Sequence, residues 1–242
     1  MAAAAAHGLR DHQVAIIGIG LPQVAAFLAR ATHAPHLTLL LDPGIINPEP
    51  TEPAMGLLDP RIWTGASYFG GFVEVLGMEL QQGSCDVGML GGAEVDRHGN
   101  VNTSLVASGD RIRYLSGSGG GNDIASLCQE VVILMKHERR RFPDRVRFLT
   151  SPGFPGGRPR EAWGLRGRGP TRVITDLAVL GFDPEHRSMT LLSVHPGVTL
   201  EQVQAETGFE LPIPQALETT PLPSSEELAI LRSLDPQGLV LA

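Results

Sequence analysis

Five short, almost wholly apolar runs limit what this chain can fold into: residues 14–17, 37–41, 87–90, 131–135 and 189–194. Strands buried on both faces lose the alternation of a half-exposed strand, and the amphipathic segments between them supply covering helices. The pattern predicts an α/β fold, an open and mostly parallel sheet flanked by helices, with a further strand at 172–175. Helices are predicted at 22–32, 71–82, 123–129, 199–207 and 224–234. Pro22 suits the first turn of the first of these. Residues 96–100 read as a turn with 101–104 pairing back beside it, and 182–187 read as a hairpin turn. The stretch 45–56 reads as a loop. Residues 151–170, rich in Gly, Pro and Arg, read as an extended surface loop that contact with another chain would order. No tandem repeat or linker stands out, which predicts one domain over 1–242.

Hydrophobic residues make up 42% of the chain and charged ones 19%, enough apolar material for a sizeable core. A net charge of −7 leaves no basic face for phosphate backbones, so no nucleic-acid partner is expected. No run approaches the roughly 20 apolar residues of a membrane span, and the alanines at 2–6 lack the basic flank of a signal peptide. Cys85 and Cys128 are too few for a disulfide framework and read as buried thiols. A cytoplasmic protein with no membrane partner is the expectation.

Several segments have residue types suited to chemistry. Gly18-Ile19-Gly20-Leu21-Pro22 joins a strand to a helix, where glycines admit a ligand to the backbone or simply pack tightly. It lacks the third glycine of a dinucleotide fingerprint. Asp42 ends an apolar run before Pro43-Gly44; it is either a ligand-facing carboxylate or a turn-former. Gly117-Ser118-Gly119-Gly120-Gly121-Asn122 can turn several amides into one concavity for an oxyanion, or form a flexible loop. Glu94 and Asp96 stand two apart, on one face of a strand, with no His or Cys at ligand spacing beside them. The histidines form no pattern, so no metal site is expected. Residues 136–141 make a basic run that suits phosphates, an acidic partner, a solvated face or a subunit contact.

Taken in order, these segments resemble the B (β) subunit of glutaconate CoA-transferase, within the class I CoA-transferases. The matching blocks are Gly18 to Pro22, Ala31 to Pro35, Gly91 to Asn102, Gly117 to Gly120, His137 to Phe142, Thr150 to Gly153, Val173 to Asp176 and Thr207 to Phe209. The resemblance implies the CoA-transferase superfamily fold and a homologous A (α) subunit completing an αβ or α2β2 enzyme, with the active site at their interface. It implies acyl-CoA and a small carboxylate as substrates, a CoA thioester as the only coenzyme and no permanently bound cofactor. In such enzymes a glutamate of the β subunit attacks the thioester, and backbone amides hold the oxyanion. Carried onto this sequence, the nucleophile position falls on Asp42. The oxyanion and CoA-binding positions fall on Gly119, Gly120, Gly121 and Asn122. The substrate pocket falls on Gly18, Gly20, Leu21, Gly44, Gly92 and Ala93.

One departure bears on the reaction. The family's Glu-Ser-Gly motif is matched here by Asp42-Pro43-Gly44. Aspartate keeps the carboxylate but withdraws it by about 1.5 Å, one carbon–carbon bond, and Pro43 removes an amide. CoA transfer therefore stands beside hydrolysis, ring-opening cleavage or decarboxylation on the same scaffold. A non-catalytic structural subunit and a ligand-sensing module are the remaining classes. The latter calls for a DNA-binding helix-turn-helix, for which the first strand lies too near the start of the sequence.

Overall fold

The computed structural model describes residues 1–50, 52–56, 59–108 and 111–241. The chain divides into two compact units, 1–90 with 222–242, and 91–221.

In the first unit, β1 (Val14–Ile17) lies between β2 (Thr38–Leu41) and β5 (Val87–Leu90), parallel to both. Ala15, Ile16 and Ile17 are at most 1% exposed, which is why their run shows no polar alternation. Two short antiparallel strands extend the β2 side, β3 (Ile45–Ile46) and then β4 (Tyr68–Phe69). The loop expected at 45–56 thus begins as a strand, because Asn47 ties it back. Its Oδ1 accepts from the Leu39 N–H at 2.8 Å, and its own N–H donates to Leu39 O at 2.8 Å. Helix α1 (Ala2–Ala6) and helix α2 (Leu21–Ala31) pack together. Val24 and Leu28 on α2 are fully buried. The helix expected at 71–82 forms, but winds as a π-helix over Val73–Glu79 before ending as α3 (Leu80–Gln82).

The second unit has two hairpins, β6 (Glu94–Val95) with β7 (Val101–Asn102), and β8 (Leu105–Ser108) with β9 (Arg111–Tyr114). After α4 (Gly121–Leu127) comes β10 (Glu130–Leu134), parallel to β11 (Pro170–Ile174). Strand β12 (Ala178–Phe182) pairs antiparallel with both β11 and β13 (Met189–Val194), and β14 (Glu218–Thr219) closes the edge in parallel. Burial alternates along β13, with Met189, Leu191 and Ser193 inward, so this strand has one open face.

Helix α5 (Leu200–Ala205) starts at Thr199, and α6 (Ser225–Leu234), in the first unit, starts at Ser224. Each start is a capping box, Thr199 with Gln202 and Ser224 with Glu227. Such a cap stabilises a helix by about 1 kcal/mol. No described helix is long and apolar enough to cross a membrane.

Candidate active site

In the first unit β1 and β2 end side by side, since Ile16 is in register with Leu40. Ligands of parallel α/β sheets bind at such carboxyl ends. β1 runs into Gly18-Ile19-Gly20, where the Gly18 N–H donates to Met89 O at 3.2 Å. Gly20 has φ +83° and ψ −128°, a conformation open in practice only to glycine, and it starts α2 without a side-chain cap. Leu21 opens the helix and is partly exposed.

β2 runs into Asp42-Pro43-Gly44, the three-residue loop of a hairpin in which Leu41 pairs with Ile45. Asp42 is 8% exposed. The loop is clamped twice: the Gly44 N–H donates to Leu41 O at 3.0 Å, and Gly44 O accepts from the Gly70 N–H at 2.7 Å. Gly44 has φ +100°, and a methyl group there would lie 2.4 Å from the Gly70–Gly71 backbone. Pro43 fixes its own φ. The carboxylate is therefore carried on a stiff loop.

The remaining expected residues lie in the second unit. Ala93 donates its N–H to Asn102 O at 3.0 Å, and a methyl on Gly92 would meet Val101 at 2.7 Å. Ala93 lines a cavity of about 730 Å³ with Glu94, Arg113, Arg140, Arg141 and Arg147. Glu138 accepts from Arg140 and Arg141, while Arg147 donates to Ala107 O and stands 3.7 Å from Glu94. Four guanidinium groups against the carboxylates of Glu94 and Glu138 leave the cavity a net cationic lining suited to a phosphate-bearing ligand. The 136–141 run announced two of these arginines. Arg113 and Arg147 join them only through folding.

In the glycine-rich turn, Gly117 and Gly119 have positive φ (+85° and +50°), while Gly120 is right-handed and Gly121 begins α4. The helix thus starts two residues earlier than expected. Ser118 governs the turn: its carbonyl accepts from the Gly121 N–H at 2.9 Å and its Oγ from the Asn122 N–H at 3.1 Å. The Asn122 side chain donates to Thr150 O at 2.8 Å.

Other blocks of the sequence resemblance hold one another. Asp96 Oδ1 accepts from the His98 and Asn100 N–H groups, and the Asn100 side chain donates to both carboxylate oxygens. Burial pushes Asp96 up despite these donors. Asn100 Oδ1 in turn accepts from the Gly153 N–H at 2.9 Å. Glu94, 2% exposed, accepts from Asn102 Nδ2 and the Arg147 N–H. Both carboxylates therefore organise backbone.

His137 is 4% exposed and lies between the hydroxyls of Thr175 and Thr207, each 3.0 Å away. The Thr207 hydroxyl donates to Val203 O at 2.7 Å, so it accepts from the Nε2–H. The Thr175 hydroxyl, 3.0 Å from Nδ1, lies equally close to Ala178 O as a donor, so its one proton serves either the neutral ring or that carbonyl. Burial lowers the pKa of His137 to about 4.

The segment 151–170 departs most from expectation. Its own chain orders it around Arg160, 2% exposed. The guanidinium donates to the carbonyls of Pro152, Gly153, Ala125 and Arg166 at 2.7–3.2 Å, which also satisfies the last turn of α4. Burial lowers Arg160 to about 10. One arginine among several in a Gly/Pro-rich stretch gives no hint of this in sequence.

A buried carboxylate at a strand end and an arginine-lined cavity in an α/β chain fit an enzyme handling anionic acyl carriers. Residues 1–206 match the family of Coenzyme A transferases, and the chain belongs to that family. It is 38% identical over 237 residues to the B subunit of 3-oxoadipate CoA-transferase from Pseudomonas knackmussii, covering 97% of this chain and 91% of that one. Its structure is similar to the crystal structure of glutaconate CoA-transferase from Acidaminococcus fermentans, with a TM-score of 0.90 and 30% identity over 100% of this chain and 95% of that one. It is also 31% identical to the cholesterol ring-cleaving hydrolase IpdB subunit of Rhodococcus jostii, over 90% of this chain and 83% of the relative. The fold and the family implied by the sequence blocks both stand.

Proposed function

We propose that this chain is the β subunit of a heteromeric CoA-transferase, with Asp42 as the nucleophile that moves CoA from an acyl-CoA to a second carboxylate. The observation that supports it is the buried carboxylate on its clamped loop at the end of β2, in a chain 38% identical to the corresponding subunit of a CoA-transferase. An Asp42 oxygen attacks the thioester carbonyl, the C–S bond breaks and CoA leaves as the thiolate. The thiolate then attacks the aspartyl carbonyl of the mixed anhydride, releasing the first acid and leaving aspartyl-CoA. A second carboxylate reverses both steps and regenerates Asp42. No net proton moves, because carboxylates and thiolates exchange places. We assign the amides around Gly119 and Gly120 to the oxyanion, with Gly121 and Asn122 shaping that turn. The arginine-lined cavity is assigned to CoA phosphates.

A homologous α subunit is the partner in this reading, as αβ or α2β2. Support comes from the exposed Trp63, Tyr68, Phe69 and Phe72 on the segment that clamps the Asp42 loop through Gly70. The buried thiols of Cys85 and Cys128 suit a reducing cytoplasm.

Hydrolysis or lyase chemistry is the second reading, favoured by the shortened side chain at 42 and by the similarity to a ring-cleaving hydrolase. The test is incubation of the co-expressed complex with a panel of acyl-CoAs, with and without acetate, followed by mass spectrometry. Transfer predicts acetate-dependent exchange and a CoA adduct on the peptide carrying Asp42. Asp42→Asn should then lower exchange at least about 10³-fold. Free CoA, or decarboxylated or ring-opened product without acetate, overturns transfer in favour of the second reading.

A further inference from the structure

At the amino ends of β1 and β2, away from the Asp42 loop, two short turns bring Asp11, His12 and His36 together. One ligand atom from each lies within 4.8 Å of the other two. Asp11 Oδ2 is 2.9 Å from His36 Nδ1 and 3.5 Å from His12 Nε2, and Asp11 Oδ1 accepts from the His36 N–H at 2.6 Å. The rings stack in parallel with centroids 4.7 Å apart. His12 has φ +63°, a left-handed conformation unfavourable for a side-chain-bearing residue.

Both turns are anchored. Gln13, beside His12, is 8% exposed; its side chain accepts from the Arg10 N–H and its carbonyl from the Thr38 N–H. The Leu37 N–H, beside His36, donates to Ala34 O. The neighbouring histidines are engaged elsewhere, His33 with Leu9 O and His7 with Glu227.

We propose that Asp11, His12 and His36 form a Zn²⁺ site that staples the starts of β1 and β2 together. Two imidazoles and a carboxylate are the donors of many three-ligand zinc sites, with water in the fourth position. Parallel rings cannot both aim at one ion, so one ring turns about its Cβ–Cγ bond on binding. The side chains of His12 and His36, 77% and 65% exposed, leave room for that. The site sits at the opposite strand ends from Asp42, so the ion takes no part in the chemistry proposed for Asp42.

The experiment uses the untagged, chelator-stripped complex titrated with Zn²⁺ by calorimetry and thermal melting, with Co²⁺ as a spectroscopic probe. Expected are one saturable Zn²⁺ per chain lost in both His12→Ala and His36→Ala, a Tm that rises with Zn²⁺ in the wild type alone, and tetrahedral Co²⁺ bands. Equal melting of the variants and wild type in chelator separates lost binding from misfolding. Binding that survives the double variant, or that does not saturate, overturns the proposal.

Discussion

Two segments of similar length invert what their compositions suggest. Residues 151–170 have the composition of a flexible linker, yet they close around a buried guanidinium. Residues 60–82 carry Trp63, Tyr68, Phe69, Phe72 and Met78, the material of a core, yet each of these is 48–60% exposed, and only Ile62, Val75 and Leu80 are buried. In the first, glycine is a packing device: a methyl on Gly167 would lie 2.2 Å from Cys128 O. In the second, an edge strand and a π-wound helix present apolar side chains outward. Composition alone does not say which segment packs within the chain and which is left exposed.

The hardest test of the contrast is Arg160→Met, which removes the donor from at least four carbonyls. It should cost about 3–5 kcal/mol or prevent folding, as breaking a buried charged network does. A melt within 1–2 °C of wild type would show the loop to be dispensable. His137, the other buried polar knot, sharpens the point through pH. The folded ring has a pKa near 4 against 6.5 for the free side chain, so the unfolded chain takes up a proton that the folded chain refuses. Stability from this group is complete above pH 6.5 and is lost as pH falls toward 4, by roughly 3 kcal/mol. Denaturant midpoints from pH 7 to 4 should fall more steeply for wild type than for His137→Gln; parallel slopes would refute the buried neutral ring. The smallest effect belongs to the aromatic segment. Phe69→Ser with Phe72→Ser should shift chain stability by only about 0.5 kcal/mol while loosening the complex with the α subunit on dilution. A large loss of chain stability would make these residues core after all.

Elements whose signals are local were legible in the sequence. Strands β1, β2, β5, β10 and β13 follow from unbroken or regularly patterned apolar runs, and the helices expected from 199 and 224 start at those residues. Strand β9 escaped notice although Arg111-Ile112-Arg113-Tyr114 alternates basic with apolar residues, because the run is only four residues long and wholly exposed. Strand β3 was hidden because two residues held by Asn47 carry no period. At the candidate site, the position of Asp42 at the end of an apolar run was readable, but the clamping of its loop at Gly44 depends on Gly70, 26 positions beyond Gly44. The engagement of the Gly121 and Asn122 amides by Ser118 was equally hidden, since no composition rule says which way one hydroxyl turns.

The contacts of Asn100 with Gly153, and of His137 with Thr175 and Thr207, join blocks by which the chain is recognised to one another. Likeness across those blocks therefore records a shared scaffold and says little about which bond is broken on it. Under the proposed function, the departure that bears on the reaction lies in the few residues from Asp42 to Gly44. A chain can thus keep its scaffold through contacts spread over two hundred residues while the proposed point of chemistry occupies three.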